Sequence, residues 1–342
     1  MRRSSRGVGR FSGRGLRRRL TVGAVLLSLA TIASATDLNL RRGGPWTTGG
    51  NLHRGMEKFA EVAGADSKGR IKVALYPDSQ LGNIQQLLTG VQLGTIDMAY
   101  LAVGNAGQLN GRKPLNVAYV PHLFRGKQQA TDTLNGPIFA EMYETLANSA
   151  GVRIFAVYGA RSPRAVQTMK GSVRKPEDLE GMRICIPPID MLRAAFELAG
   201  AKPVPMGLSD VYMALSRGNV DGQDNGFDLA IAFKWYEVAK FWSTTNHVFE
   251  VAAWYMNERK WQSVSPDDRD LFRRVAKAGG QVATGLGEAL DRDGIETLRK
   301  AGVTYVEPDL AAFDSARKDS YRDYDGKVRP AALVERIRAT LG

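Results

Sequence analysis

Cysteine is nearly missing from this chain. Cys185 is the single one in 342 residues, which excludes an intramolecular disulfide framework and a thiolate zinc cluster. Histidine is almost as scarce: His53, His122 and His247 stand far apart without ligand spacing, so no metal is expected. A Gly-x-Ser-x-Gly elbow and a Gly-x-x-x-x-Gly-Lys-Ser/Thr phosphate loop are both lacking. Gly285-Leu286-Gly287 begins like a dinucleotide fingerprint but has no third glycine and no preceding strand. Asp221 and Asp224 sit beside a glycine and read as structural loop acids, and Cys185 has no base at a recognisable spacing. The expectation is a binding module without catalysis and without a cofactor. Beyond residue 35 no window is apolar enough for a bilayer span, which needs ~20 such residues.

Acidic residues are absent from residues 1–35, which carry eight arginines (Arg2, Arg3, Arg6, Arg10, Arg14, Arg17, Arg18 and Arg19). The chain as a whole has 47 basic and 35 acidic residues, a formal net charge of +12. Without the leader the balance is 39 to 35, so the basicity is no footprint for nucleic acid. An apolar run from Thr21 to Ile32 and the small-residue site Ala33-Ser34-Ala35 complete a secretory signal peptide, cleaved near Ala35. Arg17-Arg18-Arg19 is compatible with twin-arginine export as well as the general route. The remainder is expected to be periplasmic.

The length favours two domains at ~100–200 residues each. Leu38 and Leu40, Ile71 to Leu75, Thr95 to Leu101, Val152 to Tyr158, Met182 to Ile186 and Val303 to Val306 read as strands alternating with helical segments. That pattern implies an α/β fold with mostly parallel sheets. Val91-Gln92-Leu93-Gly94-Thr95-Ile96-Asp97 echoes Leu215-Ser216-Arg217-Gly218-Asn219-Val220-Asp221, which suggests one similar helix-to-strand junction in each half. Ser265-Pro266-Asp267-Asp268 starts a helix whose apolar face runs to about Gly302, ~50 Å at 1.5 Å per residue. Its internal glycines weigh against continuity. The charged stretch from Asp314 to Leu341 reads as a further helix.

Several segments resemble the substrate-binding proteins of tripartite ATP-independent periplasmic (TRAP) transporters, of the C4-dicarboxylate-binding type. They are Gln80-Leu81-Gly82, Gly94-Thr95-Ile96-Asp97-Met98-Ala99, Pro121-His122-Leu123-Phe124, Pro176 to Ile184, Pro205 to Leu215, Val220 to Asn225, Tyr236-Glu237-Val238 and Asn246-His247. The resemblance spans nearly all of the chain after the leader. It implies a two-lobed periplasmic binding protein fold with a hinge and a long helix bracing both lobes. The implied boundaries are 36–160 plus 251–290 for lobe I and 161–250 plus 291–342 for lobe II. The implied function is capture of a small organic acid between the lobes by a monomer and delivery to membrane permease subunits. Two alternatives are a sensory ligand-binding component and a binder of an uncharged or aromatic solute.

The chain departs from the family where it matters for the ligand. The family strand usually reads Gly-Leu-Lys-Ile-Arg-Val-Pro, and its Arg grips the ligand carboxylate. Here Gly181-Met182-Arg183-Ile184-Cys185-Ile186-Pro187 puts Cys185 in that position, and a thiol does not replace a bidentate guanidinium. Arg183, two residues earlier on the same strand face, is one possible rescue. A second family Arg aligns with Arg164, or with Arg161 if the Ser162-Pro163 turn shifts the register. Asn225 matches a ligand-contacting Asn, and Leu208 stands where many members place an aromatic. Trp46 and Leu101-Ala102-Val103 are expected to face the cleft from lobe I. The expected ligand is therefore a monocarboxylate or less polar molecule, held by Arg164, Asn225 and Trp46, and not a C4-dicarboxylate.

Overall fold

Short apolar stretches stopped by glycine or by Tyr76-Pro77-Asp78 become strands, which a computed structural model arranges in two mixed sheets. It describes residues 37–109, 113–313, 326–327 and 330–341. The signal peptide expected at 1–35 lies outside these residues, as does 314–325 of the expected last helix.

The first sheet contains β1 (Leu38–Gly43), β2 (Ile71–Tyr76), β3 (Met98–Ala102), β4 (Val152–Ala160) and β10 (Val251–Asn257), in the order β2-β1-β3-β10-β4. The second contains β5 (Arg164–Thr168), β6 (Arg183–Ile186), β7 (Lys202–Pro205), β8 (Gly222–Asn225), β9 (Phe241–Val248) and β11 (Thr304–Val306), in the order β11-β9-β5-β8-β6-β7. Helices α1 (Asn51–Asp66), α2 (Ile84–Leu93), α3 (Lys127–Leu134), α4 (Pro137–Ala150), α5 (Asp190–Leu198), α6 (Val211–Ser216), α7 (Phe227–Ala232) and α8 (Glu258–Ser263) connect the strands. The α/β class is as expected, but the sheets are mixed: five of the nine described strand pairings are parallel and four antiparallel. β10 runs antiparallel to β3 and β4, and β5 runs antiparallel to β8 and β9. β10 escaped the sequence because its seven residues, Val-Ala-Ala-Trp-Tyr-Met-Asn, are all buried and show no alternation, as befits a strand covered on both faces.

The chain changes sheet twice. β4 passes to β5 through Arg161, Ser162 and Pro163, and β9 returns to β10 through Phe249 and Glu250. The two crossings run side by side, joined by Arg161 N–H donating to the Glu250 carbonyl at 3.0 Å. Such a paired crossing places whatever its side chains carry midway between the sheets.

A third connection is α9 (Pro266–Lys300), an unbroken helix of 35 residues whose Ser265 cap accepts from Asp268 N–H. Near its middle it packs on α1 and β4, and near its end Gly294 lies against Phe227 and Ile231 of α7. It therefore braces both sheets. The glycines that weigh against continuity have a packing reason. A Cβ on Gly279 would stand 2.5 Å from the Gly55 carbonyl of α1, and one on Gly280 would stand 2.2 Å from Tyr158 Cβ. Gly285 has nothing within 4 Å. After β11 the chain ends in α10 (Ala331–Arg338), which buries Val334 and Ile337 and reaches Glu141 of α4 through Arg336 at 3.5 Å.

The echoed junctions are equivalent in detail. Gly94 and Gly218 both adopt left-handed φ, at 79° and 68°. Each following Asp then accepts from the backbone N–H of an arginine on the adjoining parallel strand: Asp97 from Arg41 at 2.8 Å, Asp221 from Arg183 at 2.9 Å.

The helix glycines yield opposite expectations in urea unfolding. Gly279→Ala adds a methyl against backbone and should cost about 1–3 kcal/mol. Gly285→Ala relieves only glycine's backbone entropy and should gain up to about 1 kcal/mol. Equal effects at both sites would contradict the packing argument.

Candidate functional site

The side chains at the paired crossing form a buried ionic cluster. Arg161 Nε and Nη2 donate to the two Asp228 oxygens at 3.0 and 3.1 Å, and its Nη1 donates to Glu250 Oε2 at 2.5 Å. Arg164 Nε and Nη2 donate to the two Asp224 oxygens at 3.0 Å each, and its Nη1 reaches the same Glu250 Oε2 at 3.1 Å. Arg164 Nη2 also bonds the Asp224 carbonyl. Glu250 is thus shared by two guanidiniums. On the far side of Asp224, His247 Nε2 pairs with its Oδ1 at 2.9 Å, and Thr245 holds His247 Nδ1 at 2.8 Å. Burial would raise the Asp224 and Glu250 carboxyls, but the arginines overcome it and hold both below their usual range.

This cluster floors a cavity of about 410 Å³ between the two sheets. Arg161, Arg164, Glu250 and Asn225 line it at the crossing. Trp46 lines it from the loop after β1, and Asn105, Gln108 and Tyr119 come from the turns after β3. The Trp46 indole donates to the Tyr100 carbonyl at 2.7 Å, and its ring lies 5.2 Å from the Arg161 guanidinium carbon. It is both wall and support for that cation. The Tyr119 hydroxyl donates to Asn105 Oδ1 at 2.9 Å. Farther out the wall carries Pro187, Pro188, Met206 and Leu208 facing Ser79, Asn83, Gln85 and Gln86.

Of the six expected ligand residues, Trp46, Arg164, Cys185, Leu208 and Asn225 line this one cavity. Arg183 does not. Its Nε and Nη2 bond the two Asp221 oxygens at 3.0 and 2.8 Å at the partly exposed foot of β6, and the echoed junction accounts for it as a strand-joining residue like Arg41. The choice between Arg161 and Arg164 proves not to be exclusive, since both guanidiniums line the cavity around one carboxylate. Leu101, Ala102 and Val103 do not face the cavity; they are core residues, and the Tyr255 hydroxyl donates to the carbonyls of the last two at 2.9 Å. Asn105 and Gln108 reach the cavity in their place. Cys185 is 2% exposed, and burial, helped by Asp224, pushes its thiol up to about 12.

Arg161 commits three of its five N–H groups to these carboxylates, and Arg164 commits three to carboxylates and a fourth to the Asp224 carbonyl. The rest are donors at the cavity wall. Two guanidiniums facing three carboxylates sum to a formal charge of −1 over these five groups, so the floor has directed donors without a surplus of positive charge.

The architecture, two sheets with a cavity at a double crossing and a long bracing helix, is that of a periplasmic solute-binding protein. Residues 43–327 match bacterial extracellular solute-binding protein family 7, and the chain belongs to that family, the binding proteins of TRAP transporters. It is 30% identical to the 2,3-diketo-L-gulonate-binding periplasmic protein of Escherichia coli K12, over 87% of this chain and 90% of that one. It is 25% identical to the C4-dicarboxylate-binding periplasmic protein of Rhodobacter capsulatus, over 73% and 74%. Among solved structures, a TRAP solute-binding protein of Roseobacter denitrificans with bound L-galactonate superposes with a TM-score of 0.80 at 28% identity, covering 89% of this chain and 99% of that one. One from Ochrobacterium anthropi with bound L-fuconate gives 0.82 at 27%, covering 90% and 100%. No described helix is long and apolar enough to cross a membrane.

Removing the two arginines has unequal expected costs. Arg164→Gln leaves Asp224 and Glu250 short of a buried cation and should destabilise by about 3–5 kcal/mol. Arg183→Gln breaks a partly exposed pair and should cost no more than about 1 kcal/mol. Urea unfolding of both variants measures this, and comparable losses would contradict the assignment of Arg183 to the outer junction.

Proposed function

We propose that this protein captures a small hydroxylated monocarboxylate in the periplasm and hands it to TRAP permease subunits, without chemical turnover. The observation that carries the reading is the pairing of Arg161 and Arg164 around Glu250 at one end of the cavity. Their uncommitted N–H groups are suited to one carboxylate, with Asn225 beside them. Among the described residues lining that cavity Arg161 and Arg164 are the only cations, and Cys185 stands where the family resemblance puts an Arg. A second ligand carboxylate would find no cation at the outer end, which disfavours C4-dicarboxylates. The amides of Asn83, Gln85, Gln86, Asn105 and Gln108 suit ligand hydroxyls. The bound sugar acids of the two structural relatives, L-galactonate and L-fuconate, support the same class. Absence of turnover is supported by the Cys185 thiol, which burial keeps protonated at neutral pH.

Thermal-shift measurements with L-galactonate, L-fuconate and other aldonates against succinate and malate test this. A ligand at 100 times its Kd adds about 2.7 kcal/mol, so at least one sugar acid should raise the melting temperature by several degrees while the diacids leave it unmoved. Strong stabilisation by succinate or malate with none by monoacids rejects the reading. The stabilising acid should also slow labelling of Cys185 by a thiol reagent; equal rates with and without it would remove Cys185 from the ligand's surroundings.

A further inference from the structure

The wall that the second sheet gives the cavity changes character strand by strand. Arg164 opens β5, Asn225 closes β8, Cys185 lies on β6 ahead of Pro187 and Pro188, and Met206 follows β7. These strands are consecutive in the order β5-β8-β6-β7. At ~4.8 Å between neighbours, the wall passes from guanidinium through amide to thiol and proline within about 10 Å. Leu208 extends the apolar end beyond Met206. Ser209 is the polar exception there, and its hydroxyl already lies 3.5 Å from Asp210 Oδ1.

The opposite wall is different. Asn83 and Gln86, at the start of α2, close a reciprocal cap in which each side-chain oxygen accepts the other's backbone N–H, at 3.0 and 2.9 Å. Their side-chain NH2 groups take no part in that cap and remain donors for ligand hydroxyls. A solute held by its carboxylate at the arginines therefore has amide donors along one edge. Its far end meets proline, methionine and leucine on the other.

We infer that the cavity selects hydroxy acids whose carbon farthest from the carboxylate ends in a methyl or branched alkyl group, over acids hydroxylated at that carbon. The inference rests on the monocarboxylate reading above and adds to it the chemistry of the tail. A terminal hydroxyl turned toward Pro187, Pro188 and Leu208 would give up water on that side without a replacement partner, and apolar pockets reject such added hydroxyls by up to about a hundredfold.

Isothermal titration with matched pairs tests it: L-galactonate against L-fuconate, its 6-deoxy counterpart, and the same pairing in other sugar configurations. In every pair that binds, the deoxy acid should bind at least about tenfold more tightly. Leu208→Asn and, independently, Met206→Gln should shrink that ratio. Equal or tighter binding of the hydroxylated member overturns the inference, as does an unchanged ratio in both variants. If no aldonate of either kind binds while an uncharged solute does, the monocarboxylate reading itself has failed and this inference falls with it.

Discussion

Glu250 shared between Arg161 and Arg164 is the interaction on which the rest of the structure depends. It joins side chains from the two strands that cross between the sheets, where the backbones are already bonded through Arg161 N–H and the Glu250 carbonyl. A buried guanidinium is costly unless matched, and Asp224 and Asp228 complete the match from β8 and the start of α7. The cluster thus ties together the crossing, the central strand of the second sheet and the cavity floor. Ligand recognition and the geometry between sheets rest on the same charges.

Cys185, which stands where the family resemblance puts an arginine, lies beside this cluster. The carboxylate of Asp224 lies near enough to Cys185 to act on its thiol, yet it is Arg164, one strand away, that pairs with it. The cavity's guanidiniums come from Arg161 at the crossing and Arg164 on β5, while β6 contributes the Cys185 thiol to its lining. The site remains arginine-based, while its outer part becomes apolar.

Much of the fold was legible in the sequence. Ser265-Pro266-Asp267-Asp268 announced α9 to within a residue, and the Gly94 and Gly218 echo announced two equivalent junctions. The family resemblance brought out five residues that line the cavity. Other parts were not legible for physical reasons. β10 has no polar face to betray it, and internal glycines look like helix breakers until a crossing helix requires them. Glu250 and Asp228 carry no motif; their roles arise only when segments 67 to 89 residues apart meet at the crossing. Arg183 shows the converse, a residue that strand alternation placed near the ligand and that its neighbour Asp221 holds elsewhere.

The same logic links the sheets to α9. Gly55 and Gly279 bring α1 and α9 into backbone contact, and Thr284 on that helix accepts from Ala160 N–H at 2.9 Å just before the first crossing. The brace is therefore bonded to the place where the chain changes sheet, so the cluster, the crossing and the helix form one mechanical unit beneath the cavity. The most direct measurement is a crystal structure of the protein carrying the solute with which it purifies. The account requires that solute's carboxylate within hydrogen-bond distance of Arg161 or Arg164 and beside Asn225; a solute seated elsewhere, or one turning an uncharged group to the two guanidiniums, would contradict it.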